Sequence, residues 1–283
     1  SMISTLVEKG HAYRAEDGSV YFRIRSFPDY GHLAHFNLED LRDGVRVRND
    51  EYEKENVGDF ALWKAWDEAD GDVGWESPWG RGRPGWHIEC SAMATGILGP
   101  ELDIHCGGED NIFPHHEAEI AQSECCTGKK FVRLWMHCRH LQVEGSKMAK
   151  SAGNFFTLRD LMEKGWSGRE VRYALISVKY REPLNFTFEG LAAARSALQR
   201  LDEWTARLRE TAGSETAESP VDGLEAFGEA LDDDLNISAA LAACPVPAPA
   251  PLGSHHWQPL GWRKAPCGFV PLAAVQTRHV AVG

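Results

Sequence analysis

Ile3, Leu6 and Val7 fall on one helical face and Gly10 follows as a helix stop, so the spacing predicts a chain that opens inside a helix. The period then changes. Residues 12–15 and 19–24 flank Asp17-Gly18, and Val20-Tyr21-Phe22 favours extended chain, which together predict a hairpin. Further on, residues 102–105 read as a short buried strand, 106–110 as a glycine-bearing loop, and 114–125 as a helix with Pro114 near its first turn. Met93 and Ile97, on a helix expected after Cys90, read as core. Residues 157–160 and 167–170 read as helix starts, the second as a capping box. Leu191, Ala194, Leu198, Leu201, Trp204 and Leu208 recur every three or four residues and predict a long amphipathic helix. Arg195, Arg200, Arg207 and Arg209 lie among its polar positions, where a solvated face explains them most simply. Residues 212–220, rich in Ser, Thr, Gly and Glu, read as a loop.

Composition narrows the class. The chain has 283 residues, 43% of them hydrophobic, enough for a full core. It has no run of about 18 apolar residues to span a bilayer, and Glu8 and Lys9 stand where a signal peptide would be apolar. The expected compartment is the cytoplasm, with no membrane association. Seven cysteines at irregular spacing, Cys125 and Cys126 adjacent, do not form a disulfide framework; reduced thiols are expected, at least one of them a metal ligand. A net charge of −12 argues against indiscriminate nucleic-acid binding, so any attraction to nucleic acid must be concentrated in a patch. From Cys244 onward there is no Asp or Glu, yet this tail holds half of the fourteen prolines and shows no helical or strand period; it reads as disordered.

Three groups of residues carry candidate chemistry. His115 and Glu119 are four apart and would share one helical face, where an imidazole and a carboxylate can meet one ion. Taken alone, such a pair is more often a surface hydrogen bond. Gly107-Gly108 between a strand and a helix lets backbone approach a nucleotide, and an acid such as Asp110 can bind a ribose or an amino group, although most glycine pairs are only tight turns. Lys147 and Lys150 follow Gly145, which suggests a flexible cationic segment.

In order along the chain, Gly82-Arg83-Pro84-Gly85-Trp86-His87-Ile88-Glu89-Cys90, Phe113-Pro114-His115-His116-Glu117-Ala118-Glu119 and Ser146-Lys147-Met148-Ala149-Lys150-Ser151-Ala152-Gly153-Asn154 resemble cysteinyl-tRNA synthetase. The resemblance implies an α/β fold: a partial Rossmann-like class I catalytic domain over 1–165, with a small β-containing insertion at about 12–80. A helical domain over 166–243 and a disordered or frame-shifted tail over 244–283 would follow. Residues 230–241 resemble the start of a helix found late in the family. The implied metal is zinc on Cys90, His115 and Glu119, with Trp86 lining the amino-acid pocket. ATP with Mg2+ would meet Gly107, Gly108, Asp110 and Lys150, and Lys147 and Lys150 would be the catalytic cations. The implied substrates are cysteine and tRNA(Cys). Cys106 stands where the family usually has glycine, and Ala149 where it has serine. The family's upstream zinc-ligand cysteine and its histidine-containing nucleotide motif have no counterpart here, so a preceding segment is expected. Two alternatives remain at this point: a cysteine ligase with an amino-sugar acceptor, and an inactive zinc- or tRNA-binding remnant. His87, Glu89, His116 and Glu117 carry no assigned role.

Overall fold

The computed structural model describes residues 1–36, 58–148, 153–212 and 224–243. Lys150 and the tail 244–283 lie outside the described residues. Contacts divide the chain into two compact units, Ser1–Cys138 and Arg139–Gly283.

The first unit opens with helix α1 (Met2–Glu8), which buries Ile3 and Leu6. The expected hairpin follows as β1 (Ala12–Arg14) and β2 (Val20–Phe22), antiparallel with Tyr13 opposite Tyr21. Its turn forms because Gly18 adopts φ +91° and the Asp17 carboxylate accepts from the backbone N–H and the hydroxyl of Ser19 at 2.8 and 2.9 Å. Strands β3 (Phe60–Ala65) and β4 (Gly82–Pro84) complete a four-stranded sheet in the order β1-β2-β3-β4. Leu6, Val20, Phe22, Leu62 and Ile88 are buried in the same core.

Helix α2 (Trp86–Leu98), strand β5 (Leu102–Gly108), helix α3 (Glu117–Thr127) and strand β6 (Val132–Cys138) come next. β5 and β6 run parallel across α3, with Leu102 opposite Val132 and Gly107 opposite His137. That crossover is the strand-helix-strand unit of a nucleotide-binding α/β fold. Four details depart from the sequence expectations. The strand is longer, taking in Cys106, Gly107 and Gly108, because ladder pairing with β6 continues through them. Only its first rung is buried: Leu102 is 5% exposed and Ile104 58%. Pro114 sits in an irregular turn over Ile112–His116 rather than in the first turn of the helix, with a cis bond after Phe113. Met93 and Ile97 are exposed, not core, since α2 turns Ile88 and Ser91 inward instead.

In the second unit, β7 (Leu141–Val143) lies between β8 (Ser146–Lys147), antiparallel to it, and β9 (Leu184–Phe186), parallel to it. Helices α4 (Leu158–Glu163) and α5 (Gly168–Ile176) each start in a reciprocal capping box, Thr157 with Asp160 and Ser167 with Glu170. The long amphipathic helix is α6 (Phe188–Ala212), which buries Leu191, Ala194 and Leu198. Residues 230–241, read as a helix start, hold the end of α7 (Leu224–Asp232) and the start of α8 (Ile237–Ala243). Asp234 and Leu235 take φ +55°, and Asn236 accepts from the Ala239 N–H. No described helix is long and apolar enough to cross a membrane.

Candidate metal and amino-acid site

The first turns of α2 and α3 hold the chemistry. Gly85 precedes α2 where a Cβ would strike the Ala61 carbonyl of β3, so only glycine lets the helix start this close to the sheet. Trp86 is the first residue of α2 and Cys90 follows one turn later. One residue beyond, the Ser91 hydroxyl donates to Gln122 Oε1 at 2.6 Å in a buried bond, which ties α2 to α3 beside Cys90 and Glu119. α3 is anchored to the insertion through Glu117, fully buried, whose two oxygens accept from the N–H groups of Gly31 and Ala34 at 2.8 and 3.0 Å.

These constraints bring Cys90 Sγ, a ring nitrogen of His115 and a carboxylate oxygen of Glu119 within 4.8 Å of one another. The i,i+4 spacing does what helical geometry requires: His115 Nε2 lies 3.8 Å from Glu119 Oε2. A second triple, His105, His116 and Glu119, meets the same limit and was not foreseen from the sequence. His105 Nε2 lies 3.0 Å from Glu119 Oε2, and His116 Nε2 lies 3.8 Å from it. His105 and His137 were both missed, because the pairing of β5 with β6 that brings them together is long-range. Asp103, His105 and Gly107 share one face of β5, and Arg133, Trp135 and His137 occupy the partnered positions of β6.

Glu119 is fully buried, and its Oε1 has no hydrogen-bond partner. An unpaired carboxylate oxygen in that environment is costly unless a cation takes it. Sulfur, imidazole and carboxylate donors gathered around it fit zinc, which accepts all three. Burial pushes the Cys90 thiol pKa up, and the nearby Glu119 and Glu89 carboxylates push it further. A divalent cation there would reverse that sign. Burial lowers His115, and lowers His87 and His116 to about 4 and about 3, so these rings are neutral and able to donate a lone pair.

The remaining expected residues are placed as follows. Trp86 is 59% exposed and stacks on His115 with ring centroids 4.3 Å apart; ordinary core packing therefore does not describe it. Gly107 ends β5 where a Cβ would lie 2.5 Å from His116 Cε1, and a Cβ on Gly108 would collide with Asp110 Oδ1. Asp110 is exposed in the turn that follows. Lys147 is exposed in β8, not in a free loop. Cys125 is buried, with its thiol pushed up to about 11 by burial, and Cys90, Cys106, Cys125, Cys126 and Cys138 are all free thiols.

Comparison with known proteins agrees with this layout. The family model for the catalytic domain of tRNA synthetases class I (C) matches residues 1–196. The cysteine–tRNA ligase of Protochlamydia amoebophila is 56% identical over 249 residues, 86% of this chain and 52% of that protein. Those of Chlamydia muridarum and Brachyspira hyodysenteriae are 55% and 52% identical, again over 85% of this chain and 52% of theirs. The chain thus spans about half the length of the curated relatives it matches. A Mycobacterium tuberculosis methionyl-tRNA synthetase bound by methionyl-adenylate shares the fold, with a TM-score of 0.57 at 15% identity over 86% of this chain and 61% of that one. The fold, the ordered motifs and the family match converge: this chain belongs to the class I (C) tRNA synthetase catalytic-domain family.

Proposed function

We propose that the chain carries the cysteine-activating part of a cysteine–tRNA ligase, working in the cytoplasm on cysteine, Mg2+-bound ATP and tRNA(Cys). The observation that carries this reading is the convergence of Cys90, His115 and Glu119 within 4.8 Å, with a buried carboxylate oxygen left unpaired. Zinc bound there supplies a soft Lewis acid that prefers a thiolate to a hydroxyl, which separates cysteine from serine without an editing step. His87 supports this role by holding His115 Nδ1 at 2.8 Å, which leaves Nε2 turned toward Glu119. Trp86, stacked on His115, walls the pocket that takes the amino acid.

A carboxylate oxygen of cysteine attacks the α-phosphorus of ATP, the bond to the bridging oxygen breaks, and pyrophosphate leaves with the electron pair. A terminal ribose hydroxyl of the tRNA then attacks the acyl carbon, and AMP leaves. Positioning and charge stabilisation supply most of the acceleration in both steps. Gly107 and Gly108 present backbone close to the nucleotide, Asp110 takes a polar group of it, and Lys147 and Lys150 offset the charge that develops on the phosphoryl oxygens. Residues 1–165 form the catalytic part in this reading, and 166–243 a helical part.

Cysteine-dependent exchange of labelled pyrophosphate into ATP tests the proposal. Exchange with cysteine and none with serine is expected, and labelled tRNA(Cys) rather than a labelled amino sugar as the acyl acceptor. Zinc and tRNA binding without exchange would contradict it.

A further inference from the structure

Two orphaned polar atoms lie three residues apart on α3. Glu119 Oε1 is an acceptor without a hydrogen-bond partner and Gln122 Nε2 a donor without one, and both residues are completely buried. Each such group is costly in an interior that normally pairs its polar atoms. Residues three apart on a helix are neighbours on one face, so this amide and this carboxylate are within reach of each other. Gln122 is already oriented. Its Oε1 accepts from the Ser91 hydroxyl at 2.6 Å, which fixes the amide plane and turns Nε2 away from α2. The imidazoles around Glu119 do not meet its orphaned oxygen, since His105, His115 and His116 all approach Oε2, at 3.0, 3.8 and 3.8 Å. A carboxylate that ligates a metal is commonly hydrogen-bonded as well, which calls for a donor on the oxygen that the ion leaves uncoordinated.

We propose that Gln122 is a positioning residue of the metal site: its amide Nε2 donates to the uncoordinated oxygen of Glu119, while its Oε1 holds Ser91, the residue after Cys90. One side chain then serves both ligand-bearing helices. Ser91 moves with Cys90 on α2, and Gln122 moves with Glu119 on α3, so the amide fixes the separation of two ligands as well as the rotation of one carboxylate. The donor end and the acceptor end have separable roles. Losing the Ser91 bond loosens the contact between the helices, whereas losing the N–H frees Glu119 to turn its oxygens away from His115 and Cys90. The inference rests on the metal reading of Cys90, His115 and Glu119 and adds the outer support that this set of ligands needs.

Three variants of the full chain separate a donor to Glu119 from a clamp between helices. Ser91→Ala removes the clamp alone. Gln122→Met, of similar length, removes clamp and donor together, and Gln122→Glu keeps an acceptor for Ser91 but puts an oxygen where the N–H stood. Zinc affinity is read by competition with a chromogenic chelator, beside Co2+ absorption spectra. Both Gln122 variants should weaken zinc binding by about 10- to 100-fold and shift the visible Co2+ bands, whereas Ser91→Ala should keep the wild-type affinity and bands. Far-ultraviolet circular dichroism checks the fold of each, and if Gln122→Met does not fold, Gln122→Glu against Ser91→Ala carries the comparison. Wild-type affinity and bands in Gln122→Glu, or equal losses in Ser91→Ala and Gln122→Met, overturn the proposal and leave the metal reading standing. A wild-type chain that shows no thiolate-to-cobalt charge-transfer band at any Co2+ loading overturns the metal reading itself.

Discussion

Carboxylates at the start of α3 and carboxylates on the helices after residue 157 do different work, and the contrast lies in what surrounds them. Glu117 and Glu119 are completely buried, one satisfied by two backbone N–H groups, the other facing three imidazoles with an oxygen left over. Glu170 and Asp202 sit near solvent, paired with Arg195 at 2.6 Å and with Arg169 at 2.6 Å. A buried acid with an unmet valence marks chemistry. A solvated acid with its valences met marks local structure.

The largest effect is expected at Glu119. Glu119→Ala removes a donor common to both triples and should weaken zinc binding more than about 100-fold, the upper range for losing only an outer partner of a metal ligand; competition with a chromogenic chelator reads it. Glu117→Ala should leave zinc affinity nearly intact but cost about 2 kcal/mol of stability, because the Gly31 and Ala34 N–H groups lose their acceptor. Urea unfolding measures that loss. If both variants lost zinc equally, the distinction between an anchor and a ligand on α3 would fail.

On the helical side, the pairing with Arg195 and the Ser167 cap hold the Glu170 carboxyl down at about 2, from an ordinary value of 4.5. A lowered folded-state value contributes stability above pH 4.5 that disappears as the pH falls toward 2. Thermal melts should therefore show wild type above Glu170→Gln at neutral pH, with the gap closing over that window. The smallest effect belongs to Asp202→Asn, which breaks an exposed pair with Arg169 and should shift the melting temperature by no more than experimental error in physiological salt.

How much of this was legible beforehand follows the range of the interactions involved. Local devices could be read: the Asp17-Gly18 turn, the Ser167 capping box, the apolar period of α6, and the i,i+4 relation of His115 to Glu119. Elements that depend on distant pairing could not. Cys106, Gly107 and Gly108 looked like loop because glycine disfavours strands, yet the ladder with β6 extends through them. Met93 and Ile97 carry the right residue types for a core but lie on the outward side of α2. The break after Asp232 has neither glycine nor proline to announce it. His105 and His137 stayed hidden for the same reason, since only the register of β5 against β6 places them on the face that carries the site.

The central claim is a metal held by Cys90, His115 and Glu119 that distinguishes sulfur from oxygen. Titrating the Co2+-loaded chain with cysteine and, separately, with serine tests it most directly. Cysteine should intensify the thiolate-to-cobalt charge-transfer band beyond what Cys90 alone contributes, while serine leaves it unchanged. An identical response to both amino acids, or none to cysteine, would contradict the account.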